Sequence, residues 1–264
     1  MLIDSHFHAF SEKIAEKAIT KLELTCKQKA LTRGTLAEAL SLFEEWGVDK
    51  GVLLPIATKP TQQTIINDWA AEHNQGKIIA FGSVHPDAND VYEELQRIKA
   101  LGLYGVKLHP DYQDFFIDEP RLDGFFSMLE EIGLPVTIHA GFDPLSPKKI
   151  HCQPEPCRHM LEQHPKLRVI LAHMGGNYQW QESLDHICGM DGEVYLDTAY
   201  CLETPNDLLL EMIRKHGSER VLFASDCPWT SSKATFEKLE SIGLTEMEKD
   251  NIYYKNAANL FGLN

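Results

Sequence analysis

No stretch of this sequence reaches ~18 consecutive apolar residues, so nothing in it reads as a membrane-spanning helix. None of its six cysteines (Cys26, Cys152, Cys157, Cys188, Cys201 and Cys227) stands in a C-x-x-C pair, and they scatter along the chain. A stapled secreted domain is shorter and denser in cysteine. Basic residues are scarce, 25 Lys and Arg against 39 Asp and Glu, for a formal net charge of −14. A field of that sign repels phosphate backbones, which argues against nucleic acid and anionic membranes as general partners. The opening residues MLIDSHFHAF lack a basic segment followed by an apolar run. Together with the unpaired cysteines, this predicts a reduced, cytoplasmic setting. No low-complexity linker or break in composition interrupts the chain, so residues 1–264 are expected to form one domain.

What is present is a repeating alternation of short apolar runs and longer amphipathic stretches. Eight runs rich in Val, Ile and Leu read as strands: residues 2–5, 51–56, 78–84, 104–108, 134–139, 167–173, 193–198 and 220–225. Between them, residues 35–46, 87–100 and 122–132 place apolar side chains at helical spacing, as with Leu36, Leu40 and Phe43. Gly47, Gly102, Gly133, Gly217 and Gly243 stand where helices stop. Strand–helix alternation implies parallel strands joined by helical crossovers, and eight such units in 264 residues suit a closed (β/α)8 TIM barrel. Residues 20–33 fit no barrel element and are expected to form an extra helix or part of a lid. Residues 246–261 read as a terminal helix closing the barrel.

The polar residues gather at the carboxyl ends of the strands, the edge where such barrels build their sites. The first strand ends in His6-Phe7-His8, and residues two apart on a strand face the same way. The fourth ends in Lys107-Leu108-His109, the fifth in His139, the sixth in His173, and the eighth in Asp226-Cys227-Pro228-Trp229. A lone histidine at a strand end is ordinarily a hydrogen-bonded core or loop residue. Four histidines and an aspartate on one rim point instead to a divalent metal, and His with Asp is the ligand set of zinc or a similar borderline ion.

The motifs DSHFH, GVKLHP, TIHAG, LAHMGG, SDCPW and KNAANLFGL resemble, in order and over nearly the whole chain, the amidohydrolase superfamily. The likeness is to its mononuclear amidohydrolase 2 branch, which holds metal-dependent hydrolases and nonoxidative decarboxylases such as aminocarboxymuconate semialdehyde decarboxylase. The resemblance implies that His6, His8, His139 and Asp226 hold one ion, with Asp226 also handling a proton. It places His173 beside the metal water. Binuclear branches carry a carboxylated lysine or a glutamate on the fourth strand, near the place of Lys107; two ions follow if Lys107 is carboxylated, and otherwise it binds an acidic group of the substrate. His109 and Trp229 are further candidates for substrate contact, Trp229 with Tyr178 as a wall of the pocket.

Other residues carry blander expectations. Asp4 shares parity with His6 and His8 and is expected to back the site or brace the barrel. Cys227 lacks an assigned base and is a weak nucleophile candidate. His73, His164 and His216 sit near helix ends and read as solvated. His151, Cys152, Cys157 and His159 cluster around two prolines, as a pocket-lining loop or a second zinc site. A metal-activated water attacking a small lactone, amide or ester is the leading reading of the chemistry. Metal-dependent decarboxylation of a small unsaturated or aromatic acid is the alternative. A TatD-like nuclease expects a glutamate where Lys107 stands, and a non-enzymatic metal protein has no need of an open site. The expected partner is a small molecule, and a homodimer is compatible with the sequence.

Overall fold

A computed structural model of the chain describes residues 1–263. Nine short parallel strands make eight staves: β1 (Ile3–Phe7), β2 (Lys50–Leu53), β3 (Ile78–Ala80), β4 (Gly82–Ser83), β5 (Val106–Leu108), β6 (Val136–Ile138), β7 (Val169–Leu171), β8 (Val194–Asp197) and β9 (Val221–Leu222). They pair as β1-β2-β3 and β4-β5-β6-β7-β8-β9. Phe81 joins the two sheets: its N–H donates to Leu53 on one side, and that of Gly82 donates to Gly105 on the other, so β3 and β4 are one stave. The ring closes where Ser5 N–H donates to Phe223 O (2.8 Å), Asp226 N–H to His6 O (2.9 Å) and His8 N–H to Cys227 O (2.7 Å). The result is the expected TIM barrel.

Helices lie between successive staves, and the sequence signals mark their ends. Thr35 caps Leu36–Trp46 by accepting from Glu38 N–H, and Gly47 ends that helix at φ 72°. Gly133 does the same at φ 71° after Asp123–Ile132. At Gly51 a side chain has no room, because a Cβ there would meet the Phe43 ring at 2.3 Å; the helix packs directly on the strand. Most of the core lies between barrel and helices, where Phe43, Leu95, Leu129, Ile213 and Leu239 are buried.

A second, smaller apolar cluster fills the amino-terminal half of the barrel's interior. It joins Ile3, Val52, Leu54, Ile79, Phe81, Ile170 and Leu222 to Ala257 and Phe261 of the terminal helix Asn256–Phe261. That helix plugs the barrel floor, as residues 246–261 predicted. Residues 20–33 belong to an extra helix, Ala15–Cys26, and a strap that crosses to the eighth strand's loop: Gln28 Nε2 donates to Trp229 O (2.7 Å) and Leu31 N–H to Pro228 O (2.8 Å). Two histidines depart from expectation. His164 lies buried between Asp123 and Glu130, and His216 is buried with Nε2 on the Val194 carbonyl at 2.9 Å. Both helix ends turn inward instead of facing water, His164 onto the helix Asp123–Ile132 and His216 onto β8. Among the described residues, no helix is long and apolar enough to cross a membrane.

Candidate metal centre

His6 and His8 leave β1 with their Nε2 atoms 3.1 Å apart. Asp226 Oδ1 stands 3.5 Å from the first and 3.3 Å from the second. The hydrogen-bond network fixes the tautomers. His6 Nδ1 lies 2.8 Å from Asp197 Oδ2 and His8 Nδ1 lies 2.7 Å from the Leu54 carbonyl, so both rings carry their hydrogen on Nδ1. Two bare nitrogen lone pairs and a carboxylate oxygen without a hydrogen-bond partner therefore converge, with no donor among them. Buried acceptors in that arrangement repel unless a cation or proton sits between them. Asp197 also accepts from the His173 and Ala199 amides, which holds it in place behind His6.

Asp4 does not share this face. The register of β1 shifts between Asp4 and Phe7. Asp4 instead accepts from Ser225 N and Oγ, Ser232 Oγ and the His6 amide, bracing the loop that carries Asp226. Burial pushes its carboxyl up to about 6. His173 and Asp226 follow β7 and β9 in left-handed backbone, at φ 60° and φ 73°. Non-glycine residues held there cost on the order of 1 kcal/mol each, a strain that concentrates at functional sites.

His139 and His173 form a second layer. His173 Nδ1 donates to the Ala199 carbonyl (3.1 Å), so its Nε2 is the acceptor of the 2.9 Å bond with His139 Nδ1. His139 thus spends its hydrogen on His173, and its bare Nε2 faces away from the His6–His8–Asp226 trio. It lies 3.9 Å from Asp143 Oδ2 and 4.0 Å from Asp111 Oδ2, without a hydrogen bond. The Phe142 backbone approaches the ring but makes no bond of hydrogen-bonding geometry. His109 stacks on His139 at 4.1 Å between centroids, nearly parallel. The structure so divides the predicted residues into two neighbouring groups, His6–His8–Asp226 and His109–His139, the second joined by Asp143, which the sequence did not single out. Gly141 makes the second layer possible: at φ 87°, a Cβ there would lie 2.1 Å from the Asn177 amide, where the loops after β6 and β7 touch.

Lys107, on β5, is fully buried and its Nζ has no partner. Burial pulls it down to about 8, against the pull of Asp197, Asp226 and Asp143. Burial also holds His6, His109, His139 and His173 below the ordinary histidine range, so these rings are neutral at pH 7. Asp143 is pushed up to about 7 by burial. For Asp226, burial pushes upward, but the attraction of His8, His6 and His173 in their protonated forms outweighs it, and the carboxyl lies below its usual range. Trp229 stands half-buried at the mouth, tied to the strap through Gln28. Tyr178 is exposed, packed on Trp180 and Phe142 and donating to Glu203. Cys227 is buried with its thiol pushed up, which leaves no reactive thiolate. His151 turns to Asp111 at 2.9 Å, away from Cys152 and Cys157; among the described residues no metal-type grouping includes those cysteines.

A model of the Amidohydrolase family matches residues 3–263. The chain belongs to the amidohydrolase family. A γ-resorcylate decarboxylase of Rhodococcus jostii is 24% identical to it over 231 residues, which span 67% of this chain and 68% of the relative. Among solved structures, a dihydroxybenzoic acid decarboxylase of Polaromonas with bound manganese and 2-nitroresorcinol superposes with a TM-score of 0.73 at 17% identity, covering 100% and 97% of the two chains. A probable 2-pyrone-4,6-dicarboxylic acid hydrolase of Acinetobacter baumannii gives 0.70 at 18% identity, covering 99% of each. These likenesses to solved structures show the fold.

Proposed function

We propose that this amidohydrolase-family chain is a metal-dependent enzyme that removes carbon dioxide from a small hydroxylated carboxylic acid. Its ion is held by His6, His8 and Asp226. The convergence of three acceptors without a donor, two of them buried and His8 partly so, carries that reading: Asp197 and the Leu54 carbonyl take the Nδ1 hydrogens and aim both Nε2 lone pairs at one point. Two imidazoles and a carboxylate suit zinc, and the Polaromonas neighbour holds manganese, so the donor set supports a divalent ion of either kind. A divalent ion there would supply Lewis acidity, polarising an oxygen of the bound acid.

The remaining work falls to the chain. Lys107 Nζ, dry and unpartnered, takes the acidic group of the substrate, where a charge-assisted hydrogen bond is strong. Asp226, ionised at neutral pH, takes the proton of a substrate hydroxyl. When the bond to the carboxylate breaks, its electron pair stays on the substrate carbon. Asp226 returns the proton to that carbon as carbon dioxide leaves. His173, with Nδ1 on the Ala199 carbonyl and Nε2 accepting from His139, holds the His139 ring in place beside the site, and Trp229 lines the mouth.

Decarboxylation is supported by the name of the R. jostii relative and by the Polaromonas neighbour. Hydrolysis of a lactone, amide or ester remains the second reading, supported by the compact chain, the GVKLHP motif and the A. baumannii neighbour. A panel of hydroxylated aromatic acids and lactone acids, run with metal-loaded protein in oxygen-18 water, tests the choice. Carbon dioxide release with unlabelled product is expected; solvent oxygen in the product overturns decarboxylation in favour of hydrolysis.

A further inference from the structure

The rim holds one acceptor that the metal trio does not use. Asp143 lies in the loop after β6, and its Oδ1 accepts from the Leu145 amide at 2.7 Å. Its Oδ2 stands 3.6 Å from His109 Nε2 and 3.9 Å from His139 Nε2, too far for a hydrogen bond to either. Among the described residues no lysine or arginine pairs with it. The loop itself is fastened: Asp111 Oδ1, on the short helix Pro110–Gln113, accepts from His151 Nδ1 (2.9 Å) and from Ser146 Oγ, and the Gly141 amide donates to Cys152 O (2.8 Å). A carboxylate held this way offers its free oxygen preorganised. Its charge reaches Lys107, where it supports the ammonium against burial, and Cys26 at the end of the helix Ala15–Cys26, where it adds to burial in pushing the thiol up to about 11. The side chains of Asp143, His8 and Asp226 keep 10%, 14% and 10% of their surface exposed while Lys107 keeps none, so a ligand entering from solvent meets Asp143 as soon as it meets the metal trio.

The geometry points to Asp143 as a specificity-determining residue: its Oδ2 accepts a hydrogen bond from a hydroxyl of the substrate other than the one whose proton Asp226 takes. This rests on the reading of the substrate as a small hydroxylated acid and narrows it to acids with a second hydroxyl. Because Oδ2 and His109 Nε2 are 3.6 Å apart, one oxygen at ~2.8 Å from each fits between them, within hydrogen-bond range of both. A hydroxyl can donate to the carboxylate and accept from the imidazole at once when the ring hydrogen is on Nε2. Asp111 Oδ2, facing His109 Nδ1, lies 4.0 Å away and does not bond it, so the hydrogen is free to sit on Nε2. An ammonium would suit the carboxylate but would enter a space that already holds the Lys107 ammonium and the bound ion, where like charges repel. A group with no hydrogen to give, such as an ether, leaves Oδ2 desolvated and unpaired, which costs more than an absent contact. Asp143 lies outside the set His6, His8, His139 and Asp226 that the family resemblance assigns to the ion, so it is left free to read the substrate.

The test measures dissociation constants by calorimetry on the full chain loaded with Zn2+ or Mn2+, with thermal melts confirming that each variant folds. The probes are 2-hydroxybenzoate and its derivatives carrying hydroxyl, methoxy or aminomethyl at each remaining ring position. At one position the added hydroxyl is expected to tighten binding to wild type by about tenfold over the parent acid, the scale of a charge-assisted hydrogen bond, and methoxy there is expected to give no gain. Asp143→Asn keeps a carbonyl on the Leu145 amide and turns an NH2 toward the site, and Asp143→Ala removes the acceptor altogether. In each, the hydroxylated acid is expected to bind no tighter than the parent. A gain that survives both substitutions would overturn the proposal, and so would a wild type that binds every derivative like the parent. A larger gain from aminomethyl than from hydroxyl would overturn it in favour of a cationic substrate group. If wild type binds none of the acids, the reading of the substrate as a small hydroxylated acid fails and this one with it; if it binds them all alike, only this one fails.

Discussion

The two ends of one barrel are built on opposite principles. At the floor, Ile3, Val52, Leu54, Ile79, Phe81, Ile170 and Leu222 meet Phe261 and Ala257 with every side chain apolar. At the rim, the same staves end in Asp197, Lys107, His6, His139, His173 and Asp226, all buried, several with polar atoms left unpartnered. Burial favours the first arrangement at about 25 cal/mol per Å2 of apolar surface, and penalises the second until a ligand arrives. The difference teaches that stability and chemistry are assigned to separate layers here, so substitutions at the two ends are expected to fail in different ways.

The sharpest contrast comes from Asp226→Asn. It keeps the shape and one oxygen toward the histidines but cannot accept a proton, so turnover should fall roughly 10²–10⁴-fold while the fold persists. Steady-state kinetics with circular dichroism check this; near-normal turnover would move the proton transfer to another group. At the floor, Phe261→Ala removes a ring packed edge-on against Phe81 and should cost about 3–5 kcal/mol in urea unfolding, with turnover per folded molecule little changed. A large loss of turnover in the folded fraction would break the separation of layers.

A third measurement uses pH. Burial pulls His216, far from the rim, down to about 4. Because that value lies below the unfolded one of about 6.5, the unfolded chain takes up the proton first as pH falls. The neutral ring's contribution is whole above about 6.5 and is lost as pH drops toward 4. Between pH 7 and pH 5 wild type should lose about 2 kcal/mol more stability than His216→Gln, compared by denaturant unfolding of each. Equal losses would remove His216 from the account. The smallest effect is expected from Lys107→Met. Replacing a buried, unpartnered ammonium by an isosteric apolar chain should raise stability by about 1 kcal/mol while weakening substrate binding, so that KM rises and Tm does not fall. A lower Tm would mean that Lys107 is paired in the folded protein.

Much of this was legible because one rule, polar residues at strand ends, held around the rim. The H-x-H spacing placed His6 and His8 together, and the eighth-strand Asp226 joined them. Asp197 ends the run EVYLDT and obeys the same rule; applied to β8, it would have found the carboxylate that orients His6. The rest lay in features without periodicity. Asp111 sits in the short helix Pro110–Gln113 after β5 and Asp143 in the loop after β6, and only folding brings them to His109 and His139. The parity that joined Asp4 to His6 failed because the register shifts within β1, which sequence alternation cannot register. His164 and His216 were misplaced because a helix end that turns inward reads, one residue at a time, like one that ends in water.

The most direct test of the central claim is the metal bound by reconstituted wild type against His6→Gln/His8→Gln, each confirmed folded. The account predicts that the pair of substitutions removes one divalent ion per chain, because the two Nε2 lone pairs and Asp226 Oδ1 hold it together. Equal metal in the two proteins would contradict it.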